Sequence, residues 1–312
     1  MVDKLSRYSY SALDCYNSCP QKFKFEYVDK IKKESRQNAP ALMGNIVHTA
    51  LDKLYKLGAD GIVMPIADLK SFYKDEWDSV GAENILVDSD FHTIDDYIRI
   101  GEEILIKYYE QHKPFNQSIL LGTEQNLYFT LPGTDFQCKC RVDRMSKRDD
   151  GTIEIVDYKT GVRLAKVSDS SYYYQMGLYQ LAIMENYPDF TDIEVIQYFL
   201  RHEEAVTKKF SAEELDSLVV EFKDAILETI HAQQTGSFQP QESGLCRFCE
   251  FYDICPAKIH GKLLEQEDEA TGEIPAMNLK DIANSYIVKN SQMKVLKDEV
   301  DALKEELKTA AK

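Results

Sequence analysis

The stretch GTIEIVDYKTG, residues 151–161, is apolar and β-branched up to Val156 and then turns charged at Asp157 and Lys159. Positions i and i+2 of a strand project to one face, so this carboxylate and ammonium leave a strand end side by side. Asp150-Gly151 just upstream is a strong hairpin signal between alternating runs. A turn centred on Asp150 sets Asp143 opposite Asp157; a turn centred between Asp150 and Gly151 sets it opposite Tyr158 and diagonal to Asp157. Either register brings the two carboxylates within about 5–8 Å. Two carboxylates so close repel unless a cation lies between them, and hard oxygen ligands at an open site suit Mg²⁺ or Mn²⁺. A lysine on the same face can orient an attacking water or offset charge growing on a phosphoryl oxygen. The set reads as metal-assisted phosphodiester hydrolysis, against the plain alternative of a surface hairpin with an Asp-Lys ion pair.

Other residues add to this set. His48, in NIVHTALDKLY, is either a core or boundary histidine or a neutral imidazole ligand to the same metal. Gln175 and Tyr179 are four apart and share one helix face shortly after the Lys159 strand, where they either orient a substrate or complete a helix interface. The cysteines form a second constellation: Cys246, Cys249 and Cys255-Pro256 put three thiols in ten residues, a density that packing rarely produces. Cys19, just before Pro20, is the natural fourth ligand, and four thiolates can hold Zn²⁺ or a 4Fe-4S cluster. Cys138 and Cys140 read as small core residues on the strand face opposite Asp143.

The elements that must position these residues alternate between helix and strand. SALDCYNSCPQKFKFEYV reads as two short helices, the first with a capping-box pattern at Ser11 and Asp14, the second opened by Pro20. Residues 41–58 predict a helix ending at Gly58, and a further helical region spans about 66–112, up to Pro114. Residues 122–161 are β-rich. They are followed by the aromatic-rich helix SYYYQMGLYQLAIMENY, the strand DIEVIQYFLR, and a helix with Ser211 as N-cap and Gly236 as terminator. This succession predicts an α/β core. After CRFCEFYDICP come an acidic linker and a terminal helix, 282–307, with heptad-like spacing suited to packing on the body, on a partner or on a second copy.

Charge narrows the function. The 312-residue chain carries a formal net charge of -16, which excludes a protein that coats nucleic acid through a broad basic surface. Contact with nucleic acid must be local; one candidate is the stretch from Lys22 to Arg36, where six basic residues interleave with Phe23, Phe25 and Tyr27, against the alternative of a solvated helix face. Seven cysteines without a secretion signal argue against a disulfide framework, and no stretch approaches a membrane span. A cytoplasmic location, in a bacterium or a phage-infected host cell, is expected.

The segments YSYSALDCYNSCPQKFKFEYV, MGNIVHTAL, CRVDR, IVDYKTG, YQMGLYQLA and CRFCEFYDICP, in this order, resemble the RecB-like branch of the PD-(D/E)xK nucleases. They are most similar to its iron-sulfur members, such as the AddB nuclease domain, the exonucleases of CRISPR adaptation and phage recombination exonucleases. The resemblance covers about residues 6–258. It implies a restriction-endonuclease-like core, with a central mixed sheet flanked by helices and the chain ends joined by a four-cysteine cluster, ahead of a helical tail. It further implies that His48, Asp143 and Asp157 hold Mg²⁺ or Mn²⁺, with the Tyr158 carbonyl as a further ligand. Lys159 would be the catalytic lysine, Gln175 and Tyr179 would lie near DNA, and Glu124 would be an additional acidic position. The cysteine pattern would map onto Cys19, Cys246, Cys249 and Cys255 as ligands of a 4Fe-4S cluster.

Residues 1–260 are thus expected to form a nuclease domain with a helical insertion at about 60–115, and 261–312 a linker and helix. The expected activity is exonucleolytic hydrolysis of single-stranded DNA or DNA ends in recombination, repair or phage DNA processing. The contrasting expectations are a non-catalytic DNA-end-binding or adaptor protein and a zinc-stabilised interaction protein.

Overall fold

The computed structural model describes residues 5–258 apart from 32–36, 88–91, 165, 167–169, 245 and 247–248. The chain divides into two units, Met1–Tyr252 and Asp253–Lys312. The expected linker and the 282–307 helix lie outside the described residues, as do Lys32, Lys33 and Arg36.

Helix α1 (Tyr10–Ser18) is capped by Ser9, whose hydroxyl accepts the Ala12 N–H at 3.3 Å, and not by Ser11 as the spacing predicts. The reason is local: the Ser11 hydroxyl neighbours that of Ser9, and the Asp14 carboxylate takes the Tyr10 hydroxyl. Pro20 opens α2 (Pro20–Phe23), which runs on to Val28 as a wider turn, with Cys19 at the junction. Phe23 and Phe25 are buried and Lys24 pairs with Asp29, so the described part of the basic-aromatic stretch is a packed helix with solvated lysines. Helix α3 (Ala39–Ala59) passes one residue beyond Gly58. The helical region after it is two helices, α4 (Ile66–Val80) and α5 (Ile94–His112). Gly81, at φ 78°, stops the first, and a Thr93–Asp96 capping box starts the second. Two-residue strands β1 (Gln37–Asn38) and β2 (Ile85–Leu86) pair in parallel; they are too short to leave a periodic signal.

The central sheet has five strands in sequence order: β3 (Ile119–Thr130), β4 (Gln137–Lys147), β5 (Ile153–Lys159), β6 (Ile193–Phe199) and β7 (Glu204–Lys208). All neighbours are antiparallel except β5 and β6, which are parallel and joined by α6 (Ser170–Asn186). A parallel pair needs such a crossover, so the helix that carries Gln175 and Tyr179 lies against the strand that carries Asp157. Helix α7 (Ala212–Thr235) has the expected start, a Ser211–Glu214 capping box, and the expected stop, Gly236 at φ 69°. The result is a mixed sheet flanked by helices, as in restriction-endonuclease-like folds.

Alternation along β5 divides the core. Ile153 and Ile155 join Met176 and Leu178 of α6 and Leu218 and Phe222 of α7, while Val156 and Tyr158 join a second apolar layer with α3, α4 and α5. Cys138 is a core residue as expected and Cys140 is half-buried against the same core, and burial pushes both thiols up to about 12. No helix among the described residues is long and apolar enough to cross a membrane.

Gly177 lets α6 and α7 pack closely: a Cβ there would stand 2.2 Å from Cδ1 of the fully buried Leu218. Gly177→Val is therefore expected to cost about 1–3 kcal/mol by overpacking. Urea unfolding followed by circular dichroism measures this, and an unchanged midpoint would show that the interface can yield.

Candidate active site

The β4–β5 register pairs Arg144 with Val156, so the hairpin is centred on Asp150 and Asp143 stands opposite Asp157. Backbone pairing between the two strands ends at Arg144. Beyond it the Tyr158 N–H donates to Asp143 Oδ2 at 2.7 Å, so a side chain replaces the backbone acceptor and the strands fork. On the other side of β4, pairing of Thr123 with Arg144 and Gln125 with Val142 sets Glu124 opposite Asp143. Glu124 has φ 51°, a left-handed conformation that costs a non-glycine residue about 1–2 kcal/mol. The pleat is also broken in β4: Asp143 reaches His48 on α3, and the next residue, Arg144, lays its guanidinium 4.3 Å over Tyr55 on the same helix. These departures from strand regularity aim acids at α3.

His48 Nδ1 lies 3.5 Å from Asp143 Oδ1 and 4.0 Å from Glu124 Oε1, and its Nε2 lies 3.0 Å from the Tyr158 carbonyl oxygen. One nitrogen and two carboxylate oxygens from His48, Glu124 and Asp143 fall within 4.8 Å of one another, a donor set suited to a divalent cation. Burial works against a charged His48 ring, but the hydrogen bond to Asp143 and the charges of Asp143, Asp157 and Glu124 outweigh it, so its pKa is raised. Glu124 is raised by burial and by Asp143, against the opposing pull of Arg141 and His48. Beside the three lies a cavity of about 470 Å³ lined also by Asn45, Thr49, Asp52 and Arg141. Sequence reasoning missed these four, although Asn45, Thr49 and Asp52 share the helix face of His48.

Asp157 stands outside this three-residue group. It is 4% exposed, and its carboxylate is fully engaged: Lys159 Nζ at 2.7 Å and Gln197 Nε2 at 3.2 Å reach Oδ2, while the Tyr179 hydroxyl at 3.1 Å and Gln175 Nε2 at 3.2 Å reach Oδ1. Lys159 also donates to Gln175 Oε1 at 3.1 Å. The structure thus brings Gln175 and Tyr179, which share one face of α6, to the acid-lysine pair. Burial and the charges of Asp157 and Asp143 hold the Tyr179 phenol well above its ordinary pKa, so it donates as a neutral hydroxyl. Gln197 was missed; its signal was a lone amide in the apolar run VIQYF, where a buried polar group needs a partner.

Of the four candidate cluster cysteines, Cys19, Cys246 and Cys249 belong to the first unit and Cys255 to the second. Cys19 Sγ accepts the Gln241 N–H at 3.4 Å, and Cys246 Sγ accepts the Ser243 N–H at 3.3 Å. Among the described residues no three thiols come within 4.8 Å of one another.

A mixed sheet whose forked central strands present two acids and a lysine, with a histidine from the facing helix, defines a class of phosphodiester-cleaving α/β proteins. The chain belongs to the PD-(D/E)XK nuclease superfamily, whose family model matches residues 7–256. Among solved structures, a "Putative exonuclease" from Eubacterium rectale shares 15% identity at a TM-score of 0.47, covering 82% of this chain and 88% of that one. The protein SSO0001 also shares 15% identity, at a TM-score of 0.32, covering 77% of this chain and 95% of its own. No curated protein matches the chain.

Proposed function

We propose that this superfamily member is a Mg²⁺- or Mn²⁺-dependent exonuclease acting on single-stranded DNA or DNA ends. The observation that carries the reading is the convergence of His48, Glu124 and Asp143 beside the Asp157–Lys159 pair. His48, Asp143 and Asp157, with the Tyr158 carbonyl and Glu124 as further donors, would hold the cation, Asp157 joining by exchanging one of its four hydrogen-bond donors for the ion. His48 Nδ1 faces Asp143 Oδ1 at 3.5 Å and Glu124 Oε1 at 4.0 Å, so a nitrogen and two carboxylates present donors to one point, the kind of set a hard divalent cation takes. When bound, a divalent cation polarises a phosphoryl oxygen and lowers the pKa of water. Lys159, held by Asp157 and Gln175, would offset charge growing on the phosphoryl oxygens. Gln175 and Tyr179 hold the Asp157 carboxyl group in place through neutral donors. Hydrolysis forms one P–O bond to water and breaks the P–O bond to the leaving oxygen, which takes up a proton.

Cys19, Cys246, Cys249 and Cys255 are proposed to hold a 4Fe-4S cluster that stabilises the fold. The Gln241 and Ser243 N–H groups donate to two of the four sulfurs, as outer donors to metal-bound ligands do. What supports the proposal is the density of thiols, Cys246, Cys249 and Cys255 within ten residues, with Cys19 before Pro20 as the fourth. Protein purified anaerobically is expected to be brown and to contain iron and acid-labile sulfide in equal amounts. A colourless protein containing zinc would overturn the cluster.

Exonuclease action is tested with Mn²⁺ on single-stranded DNA labelled at either end, beside a circular control. Shortening of linear strands with survival of circles is expected, and the label released first gives the polarity. Cutting of circles would replace the reading with an endonuclease.

A further inference from the structure

Strand β4 is paired on its β5 side only from Arg144 onward, and Tyr8 adds a parallel bridge at Cys138. The Lys139 N–H donates to the Tyr8 carbonyl oxygen at 2.8 Å, and beyond it residues 140–142 have no backbone partner on that side among the described residues, while Asp143 takes the Tyr158 N–H with its side chain. A second cavity, of about 360 Å³, opens at this gap, lined by Lys139 and Arg141 of β4, Gln175 and Tyr179 of α6, and Ser9 and Tyr10 at the start of α1. It meets the acid site directly: Arg141 lines both cavities, and Gln175 and Tyr179 hydrogen-bond to Asp157.

The charge of this cavity is opposite to that of the chain. Among the described residues no Asp or Glu lines it, while Lys139 and Arg141 do. Lys139, Arg141 and Asp143 follow one another at alternate positions of β4, stepping by about 6.7 Å along one face toward the acids. Arg141 is partly neutralised by Glu124; Lys139 makes no ion pair among the described residues. A row of cations leading to a hydrolytic site, with a hydroxyl and aromatic side chains opposite, matches an anionic backbone on one side and base faces on the other. Base faces are open only in a single strand.

We propose that this gap in the sheet is a nucleotide-binding slot, through which one nucleic-acid strand passes to the acids with its phosphates on Lys139 and Arg141 and a base against Tyr10. The proposal rests on the nuclease reading of the neighbouring site, but its test does not require cleavage. Full-length protein in EDTA is titrated with a fluorescein-labelled 20-nucleotide oligothymidylate, followed by anisotropy at several salt concentrations. Lys139→Glu is expected to weaken binding about tenfold or more, and to flatten the dependence of log affinity on log salt by about 0.7 for each phosphate that is no longer held. Lys139 is exposed, so the variant should melt like the wild type. Tyr10→Ala is expected to weaken binding with the salt slope unchanged, as loss of stacking would. Wild-type affinity in Lys139→Glu would overturn the slot and leave the nuclease reading intact, as would cleavage by a wild type that binds no strand in EDTA. Equal weakening on duplex of the same length would overturn the single-strand assignment. Binding lost in Lys139→Glu by a protein that never cleaves would keep the slot and sink the nuclease reading.

Discussion

Replacing Asp157 with asparagine should reduce DNA cleavage about a thousandfold or more while leaving the protein folded. The carboxylate is buried and takes four hydrogen bonds, from Lys159, Gln175, Tyr179 and Gln197. Asparagine keeps the shape and one acceptor, so the neighbours lose little packing, but the negative charge that would draw a cation and hold Lys159 is gone. Asp157→Ala should be equally inactive and less stable, because it leaves the buried amide of Gln197 without its acceptor. The comparison is made by initial rates on labelled single-stranded DNA beside thermal melts of both variants. Rates within tenfold of wild type in a well-folded Asp157→Asn protein would remove Asp157 from the catalytic set.

Lys159→Met is expected to lower the rate about a hundredfold to a thousandfold without abolishing strand binding. The ammonium is the sole cation on Asp157 among the described residues, and it shares Gln175 with that acid, which fixes its direction. Methionine fills the same space without charge. Arginine keeps the charge but is a poor replacement, because its planar fork cannot occupy a point held between one carboxylate oxygen and one amide oxygen. Lys159→Arg should therefore recover less than a tenth of the wild-type rate. Binding in EDTA separates the roles: a Lys159→Met protein that binds as the wild type does but cleaves slowly has lost chemistry. If it cleaves normally at saturation and only binds weakly, Lys159 is a substrate contact.

Much of this arrangement is legible in the sequence because strand and helix periods are rigid rules. The i, i+2 spacing of Asp157 and Lys159, the Asp150-Gly151 turn and the i, i+4 spacing of Gln175 and Tyr179 each place side chains without knowledge of the rest. The hairpin resolves to the register that sets Asp143 opposite Asp157. What the periods cannot show is where they are broken. Glu124 enters the site through a left-handed backbone and Arg144 leaves the expected face, and both depend on a fork in the sheet that no local pattern announces. Gln197 is set by β6 lying parallel to β5, a long-range pairing of strands 34 or more residues apart. The N-cap at Ser9 was missed for the opposite reason, since two serines two apart compete for one helix end and only packing chooses. Short strands such as β7, half-exposed at the sheet edge, carry too few buried positions to alternate visibly.

The central claim is that the acids and His48 work through a divalent cation. It is tested most directly by adding Mn²⁺, or excess EDTA, to anaerobically purified full-length protein with end-labelled linear single-stranded DNA. The account predicts rapid shortening with Mn²⁺, none in EDTA, and restoration when Mn²⁺ is returned in excess. Undiminished cleavage in EDTA would contradict a metal-dependent site, and no cleavage under either condition would contradict the assignment of nuclease activity to this chain.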